Sequence, residues 1–310
     1  MRRTALLLAA LLLPIQKASA GITINADAIK ESVVFIYPAN DSGSVDAAKP
    51  LGTGFFVSVP NKSRVGEYLF LFTARHVLDP SWAKCPNSKA LSKIYLRLNL
   101  KTFNSSSNET GIDFVPVALS GSDPHTKVFE PSDPQIDGVV VALNPNDFVN
   151  GKYAFSSVSI ADFATEAEIS LLGTGDSIVS AGLVPGAQGQ RRNYPVFKFG
   201  AISNLMDEPF DTACVQGGPQ VPEKVWLLSV NLFPGASGSA IFYAPPGSGG
   251  IRFGAAVSRP CLIGIQSSSV NGADVSAMTP IEPIFKIIEG LQLPDADLFR
   301  GIKPVPAPTQ

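Results

Sequence analysis

Three side chains of the kinds that cooperate in acyl transfer stand where apolar, strand-like runs give way to loops. They are His76 in "YLFLFTARHVLDP", Asp137 in "PQIDGVVVAL" and Ser237 in "NLFPGASGSAIFY". The chain has only two histidines, and the other, His125 in "SGSDPHTKVFEP", reads as a solvated residue of a polar turn. A serine hydroxyl is a weak nucleophile until an adjacent base takes its proton and a third group orients that base. A carboxylate heading a buried strand needs a partner to offset its desolvation, and a histidine ring nitrogen is the natural one. Around Ser237, Gly235, Ala236 and Gly238 keep bulk away. Gly235 adopts a positive φ without steric cost, so its N–H and that of Ser237 can point into one hollow. Two such donors stabilise the oxyanion that forms when an ester or amide carbonyl is attacked. The set therefore points to hydrolysis through a covalent intermediate.

The elements that must hold these residues read as strands. Glycine and proline, 27 and 26 residues, punctuate short runs rich in Val, Ile, Phe and Tyr along the whole chain. "GTGFFVSVP", "EYLFLFTARHV" and "DGVVVALN" are examples in the first half, and "YPVFKFGAISNL", "KVWLLSVNLFPG" and "LIGIQSSS" in the second. Regular spacing of such runs argues for an all-β sandwich or barrel. One segment reads as a helix: Thr279 is placed to cap it, Pro280 lies in its first turn, and Ile281, Ile284, Ile287 and Ile288 recur at helical spacing. Lys101–Gly111 and the stretch Asp207–Glu223 look like surface loops. "KPVPAPTQ" at the end is a proline-rich tail that need not fold.

Residues 1–20 have a basic start, a short apolar core and a closing Ala18-Ser19-Ala20, the pattern of a cleaved secretory leader. The apolar core is too short to span a bilayer, so an exported chain without a stable membrane anchor is expected, periplasmic or extracellular. Loss of Arg2, Arg3 and Lys17 moves the formal charge from −2 to −5. A mildly acidic chain lacking a basic block offers no footprint for nucleic acid. Cys85, Cys214 and Cys261 contain no C-x-x-C pair and, with two histidines, give no zinc pattern, so no metal or cofactor is expected. One disulfide is expected, with Cys214 and Cys261 favoured because both fall in the same half, although sequence leaves the pairing open.

In order along the chain, "FTARHV", "DGVVVAL" and "GASGSAIF" resemble the histidine, aspartate and serine blocks of the trypsin-like serine peptidases of the chymotrypsin fold, in their bacterial secreted form. The resemblance covers most of residues 31–291. It implies two six-stranded antiparallel barrels, about 27–150 and 165–278, with a C-terminal helix at about 280–291. These lie within a peptidase domain spanning 21–303, with 304–310 as a flexible tail. It implies His76 as general base, Asp137 as its orienter and Ser237 as nucleophile. Gly235 and Ser237 would supply the oxyanion N–H groups to a polypeptide substrate. Asn231 would lie at the base of the primary pocket and Ile265, Gln266, Ser267 and Ser268 along a wall, with no acid to meet Lys or Arg. Three departures are visible. Ala236 replaces the aspartate that animal members use to bind a freshly cut N-terminus. No cysteine flanks His76. Val139 stands where alanine is usual, which keeps Asp133 as an alternative to Asp137. Two other readings are weighed: a catalytically idle member acting as a binding module, and an esterase of another fold. The esterase needs its serine between strand and helix, whereas "AIFY" after the serine loop is strand-like.

Overall fold

A computed structural model describes residues 25–301 apart from 49, 64–65, 105, 107–108, 121–125, 185, 232, 234, 246–256 and 270–273. The leader, residues 304–310 and His125 lie outside the described residues. The first half contributes β1 (Val33–Pro38), β2 (Gly52–Pro60), β3 (Glu67–Thr73), β4 (Lys93–Asn99), β5 (Ile112–Ala118), β6 (Lys127–Phe129), β7 (Val139–Leu143) and β8 (Val158–Ser159). The second contributes β9 (Ser177–Gly182), β10 (Val196–Leu205), β11 (Phe210–Ala213), β12 (Gln220–Glu223), β13 (Trp226–Ser229), β14 (Ala240–Tyr243), β15 (Cys261–Ser269) and β16 (Ser276–Pro280).

Strands β10-β13-β16-β15-β14-β9 close into a six-stranded antiparallel barrel. The first half forms a curled sheet in the order β5-β4-β1-β2-β3-β7-β6, with β8 running parallel to β2. Among the described residues no ladder joins its two ends, and the end strands suit that. Pro116 in β5 has no N–H to donate, and β6 is only three residues long. The all-β double-barrel architecture is thus present, with eight strands in its first half.

The apolar runs are continuous because both faces of the first sheet are covered. Along β2, Phe55, Val57 and Val59 face a core shared with Ala240, Phe242 and Ile265 of the barrel, while Phe56 faces a separate core inside the curl. A third cluster, including Ile202, Leu228, Ile263 and Met278, fills the closed barrel. The shared core is completed by the helix α4 (Ile281–Gly290), which buries Ile281, Ile284, Phe285 and Ile288. Its N-cap is Pro280 rather than Thr279, which remains in β16 with its hydroxyl donated to the Asp137 carbonyl at 3.1 Å. Three shorter helices carry too few turns for a readable period. They are α1 (Ala26–Ser32), α2 (Arg75–Leu78) and α3 (Glu166–Ile169). In the first of them Asn25 Oδ1 accepts the Asp27 and Ala28 N–H groups, and Ile29 enters the shared core.

The expected cysteine pairing is corrected. Cys85 is bonded to Cys214, with Cα atoms 5.2 Å apart, and Cys261 is a free thiol buried in the barrel. Membership of one half of the sequence did not bring Cys214 to Cys261. The β11–β12 hairpin that carries Cys214 projects from the barrel to the segment following α2, while Cys261 starts an interior strand. Lys84 Nζ donates to the Gln220 carbonyl at 2.7 Å and Lys224 N–H to the Gln135 carbonyl at 2.9 Å. A hairpin that reads as a surface loop is therefore tied to the other half of the molecule at three points. Closing a loop of 129 residues contributes on the order of 3–5 kcal/mol in the chain-entropy account.

Candidate active site

Strand β3 ends at Thr73, and after the buried Ala74 the chain turns at once into α2, which buries Val77 and Leu78 and holds His76 with its side chain 26% exposed. Asp137 enters β7 and is fully buried. Its neighbour Gly138 lies against Ile284 of α4, where a Cβ would collide with that side chain, so the aspartate is held from behind by the helix. The Asp137 carboxylate grips His76 twice. Oδ1 accepts the His76 backbone N–H at 3.0 Å, and Oδ2 lies 2.7 Å from Nδ1. A proton on Nδ1 donates to this carboxylate and leaves the Nε2 lone pair available as a base. Burial pulls the imidazole towards neutrality, but the Asp137 charge and hydrogen bond, with a smaller contribution from Glu223, outweigh it and hold His76 above its ordinary value.

Ser237 comes from the closed barrel, in the turn leading to β14. Gly235 and Gly238 both sit at positive φ, 92° and 90°. The turn is clamped on two sides. Thr53 of β2 donates its N–H to the Ser237 carbonyl at 2.8 Å and its hydroxyl to the Gly235 carbonyl at 3.1 Å. From β15, the Gln266 carbonyl accepts the Gly238 N–H at 2.8 Å. Gly52 lies between the halves: a Cβ there would fall 2.8 Å from a methyl of Val77 and 2.9 Å from the Ser237 carbonyl oxygen. Gly52 of β2 therefore lies close to both the serine turn and the histidine helix, between them. The Ser237 hydroxyl donates to the Ser267 carbonyl at 3.0 Å, and no hydrogen bond joins it to His76. Neither the Gly235 nor the Ser237 N–H has a hydrogen-bond partner among the described residues.

Asp133, the alternative orienter, has its carboxylate engaged by Lys224 Nζ at 2.6 Å and by the Gln135 N–H at 2.9 Å. The wall residues separate by environment. Ile265 belongs to the shared core, and Gln266 and Ser267 are buried. Ser268 is half-buried, beside a β-bulge that puts an extra residue into β15 between Gln266 and Ser269. Bulges re-aim side chains next to sites. Gln266 Oε1 is buried without a partner among the described residues. Asn231 is exposed, its amide donating to Asp274 Oδ1 at 3.2 Å and its carbonyl accepting Lys198 Nζ at 2.5 Å. A carboxylate thus stands beside the expected pocket base, where no acid was anticipated.

The site also contains a residue missed in the sequence. Glu223 ends β12, is 3% exposed, and accepts hydrogen bonds from the Thr212 and Ser267 hydroxyls. The signal that marked Asp137 was present here as well: a carboxylate shortly before the apolar run "VWLLSV". Its place in a Gly- and Pro-rich stretch concealed it.

The curled sheet supplies the histidine and aspartate, the closed barrel supplies the serine turn, and the terminal helix packs behind the aspartate. The chain has the chymotrypsin fold. No family model matches the sequence, and no curated protein is significantly similar to it in sequence. Among solved structures it is similar to the MamO protease domain from Magnetospirillum magneticum, at 14% identity and a TM-score of 0.47, over 84% of this chain and 96% of that one. It is similar to the active form of the Rv3671c protease from M. tuberculosis, at 15% identity and a TM-score of 0.46, over 84% and 81%. Human heparin binding protein aligns at 13% identity and a TM-score of 0.46, over 93% and 99%. On this chymotrypsin-like scaffold no group of three His, Cys, Asp or Glu side chains could hold a metal among the described residues, and none of the described helices is long and apolar enough to cross a membrane.

Proposed function

We propose that the protein is an exported serine endopeptidase acting through His76, Asp137 and Ser237. The observation that carries this reading is the two-point grip of a fully buried carboxylate on His76, next to a serine turn held by Thr53 and Gln266. A merely structural histidine has no need of a buried anion fixing both its backbone and its ring. Export rests on the leader-like residues 1–20 alone.

In the reaction the Ser237 hydroxyl turns from the Ser267 carbonyl towards His76 Nε2 as the substrate enters. Oγ attacks the scissile carbonyl carbon while its proton passes to Nε2, and Asp137 stabilises the resulting imidazolium. The carbonyl oxygen, now negative, is met by the Gly235 and Ser237 N–H groups. His76 returns the proton to the leaving amine, giving an acyl-enzyme, and water repeats the sequence to free the acid and the serine. Ser268 and Asn231 are the wall and pocket residues of this reading that are open enough to touch a side chain.

The turn of Ser237 Oγ towards Ser267 favours a second reading, a catalytically idle binding module. The two separate on incubation of the protein, freed of residues 1–20, with an unbiased peptide library. The peptidase reading expects internal cleavages that disappear in Ser237→Ala. Intact peptides from a folded sample would leave the binding module.

A further inference from the structure

Glu223 is a buried acid that the reaction above does not use. It is delivered to the site by the β11–β12 hairpin, which the Cys85–Cys214 bond and the Lys84 and Lys224 contacts fasten across the two halves. The residue after it, Lys224, bonds through its N–H to the carbonyl of Gln135, two positions before Asp137. The Glu223 carboxyl also reaches the nucleophile through one residue. Oε2 accepts the Ser267 hydroxyl at 3.0 Å, and the Ser267 carbonyl accepts the Ser237 hydroxyl at 3.0 Å. Among the described residues no Lys or Arg pairs with it. From β11 comes Thr212, from β15 Ser267, from the segment just before β7 Asp137 and from α2 His76. The nearby cations are engaged elsewhere: Arg75 with Glu130, Lys224 with Asp133, and Lys84 with a carbonyl.

We propose that Glu223 is a positioning residue of the active site, fixing Ser267 as the resting acceptor of the nucleophile and adding a titratable charge beside the His76–Asp137 pair. The proposal rests on the peptidase reading for its consequence in catalysis, though not for the charge coupling itself. Burial, reinforced by the Asp137 charge, pushes Glu223 up to about 7. It is therefore neutral in mildly acidic solution and ionised above neutrality. Once ionised it favours the imidazolium, because a negative charge nearby raises the affinity of His76 for its proton. Glu223 and His76 then titrate as a linked set rather than independently. The sign follows: with Glu223 charged, the free base form of His76 is reached only at higher pH, and removing the charge moves that point down.

The test is the pH dependence of fluorophosphonate labelling in wild type and Glu223→Gln. Glutamine keeps an acceptor for Ser267 and loses the charge. The acid-limb midpoint is expected to fall by roughly 0.5–1 in pH. Coincident midpoints, or a lower plateau with an unmoved midpoint, would reduce Glu223 to a structural buried acid and overturn the proposal. The His76 imidazole NMR titration gives a reading independent of activity. In the wild type it should deviate from a single-proton curve, and in Glu223→Gln it should be displaced to lower pH. If wild type is not labelled at all, the peptidase reading fails while this titration still decides the coupling. Should the variant not fold, a simple one-proton curve in the wild type overturns the proposal.

Discussion

An Asp137→Asn variant is expected to hydrolyse peptides about ten-thousandfold more slowly than wild type at pH 7 while remaining folded. Asp137 accepts two bonds from one residue, the His76 N–H on Oδ1 and the Nδ1 proton on Oδ2. Asparagine can keep only one of them as an acceptor. If its carbonyl oxygen stays on the backbone N–H, its NH2 faces Nδ1. Nδ1 must then accept, the ring proton moves to Nε2, and the base that should take the Ser237 proton no longer has a lone pair. The shape is kept, so the loss appears in turnover rather than in melting temperature. Asp133→Asn serves as the discriminating control. Its carboxylate is committed to Lys224 and the Gln135 N–H, so cleavage should stay within about twofold, as for a surface ion pair worth at most about 1 kcal/mol. Comparable losses in both variants would reopen the choice between the two aspartates.

Gly238→Ala is expected to abolish activity and to destabilise the chain by about 3–5 kcal/mol, read by chemical denaturation. Gly238 sits at φ 90°, where any Cβ is strained. A methyl there would collide with the Thr53 carbonyl oxygen and the Thr73 hydroxyl, which are themselves hydrogen-bonded at 2.7 Å. Relief requires the serine turn to withdraw from β2, breaking the Thr53–Ser237 bond at 2.8 Å that registers the nucleophile against the first half. Ala236→Gly, by contrast, adds no atom to this seam, so its effect on activity should be far smaller. An active, stable Gly238→Ala protein would show that the turn is not held as described.

Strands and site differed in how legible they were. Runs such as "GTGFFVSVP" announced β2 because both of its faces are buried, so every residue is apolar or small. The helix at the end was visible for a different reason, the helical spacing of Ile281, Ile284 and Ile288 along one buried stripe. The His76, Asp137 and Ser237 blocks were visible because each polar residue stands within a few positions of an apolar strand, after β3 for His76 and before β7 and β14 for the other two. What sequence did not carry were contacts between distant segments. The Cys85–Cys214 bond, the hydroxyl of Thr279 on Asp137 and the delivery of Glu223 to the site all depend on how the β11–β12 hairpin and β16 meet the first half. Local composition is silent on such meetings. The polar stretch Asp207–Glu223 could equally have been a solvated loop.

The peptidase reading stands on activation of the Ser237 hydroxyl by His76. Its most direct test is incubation with a fluorophosphonate followed by mass mapping of the adduct. One adduct is expected, on Ser237, formed in wild type, absent in Ser237→Ala and strongly slowed in His76→Ala. A folded protein that remains unlabelled, or is labelled at another residue with Ser237 untouched, would contradict it.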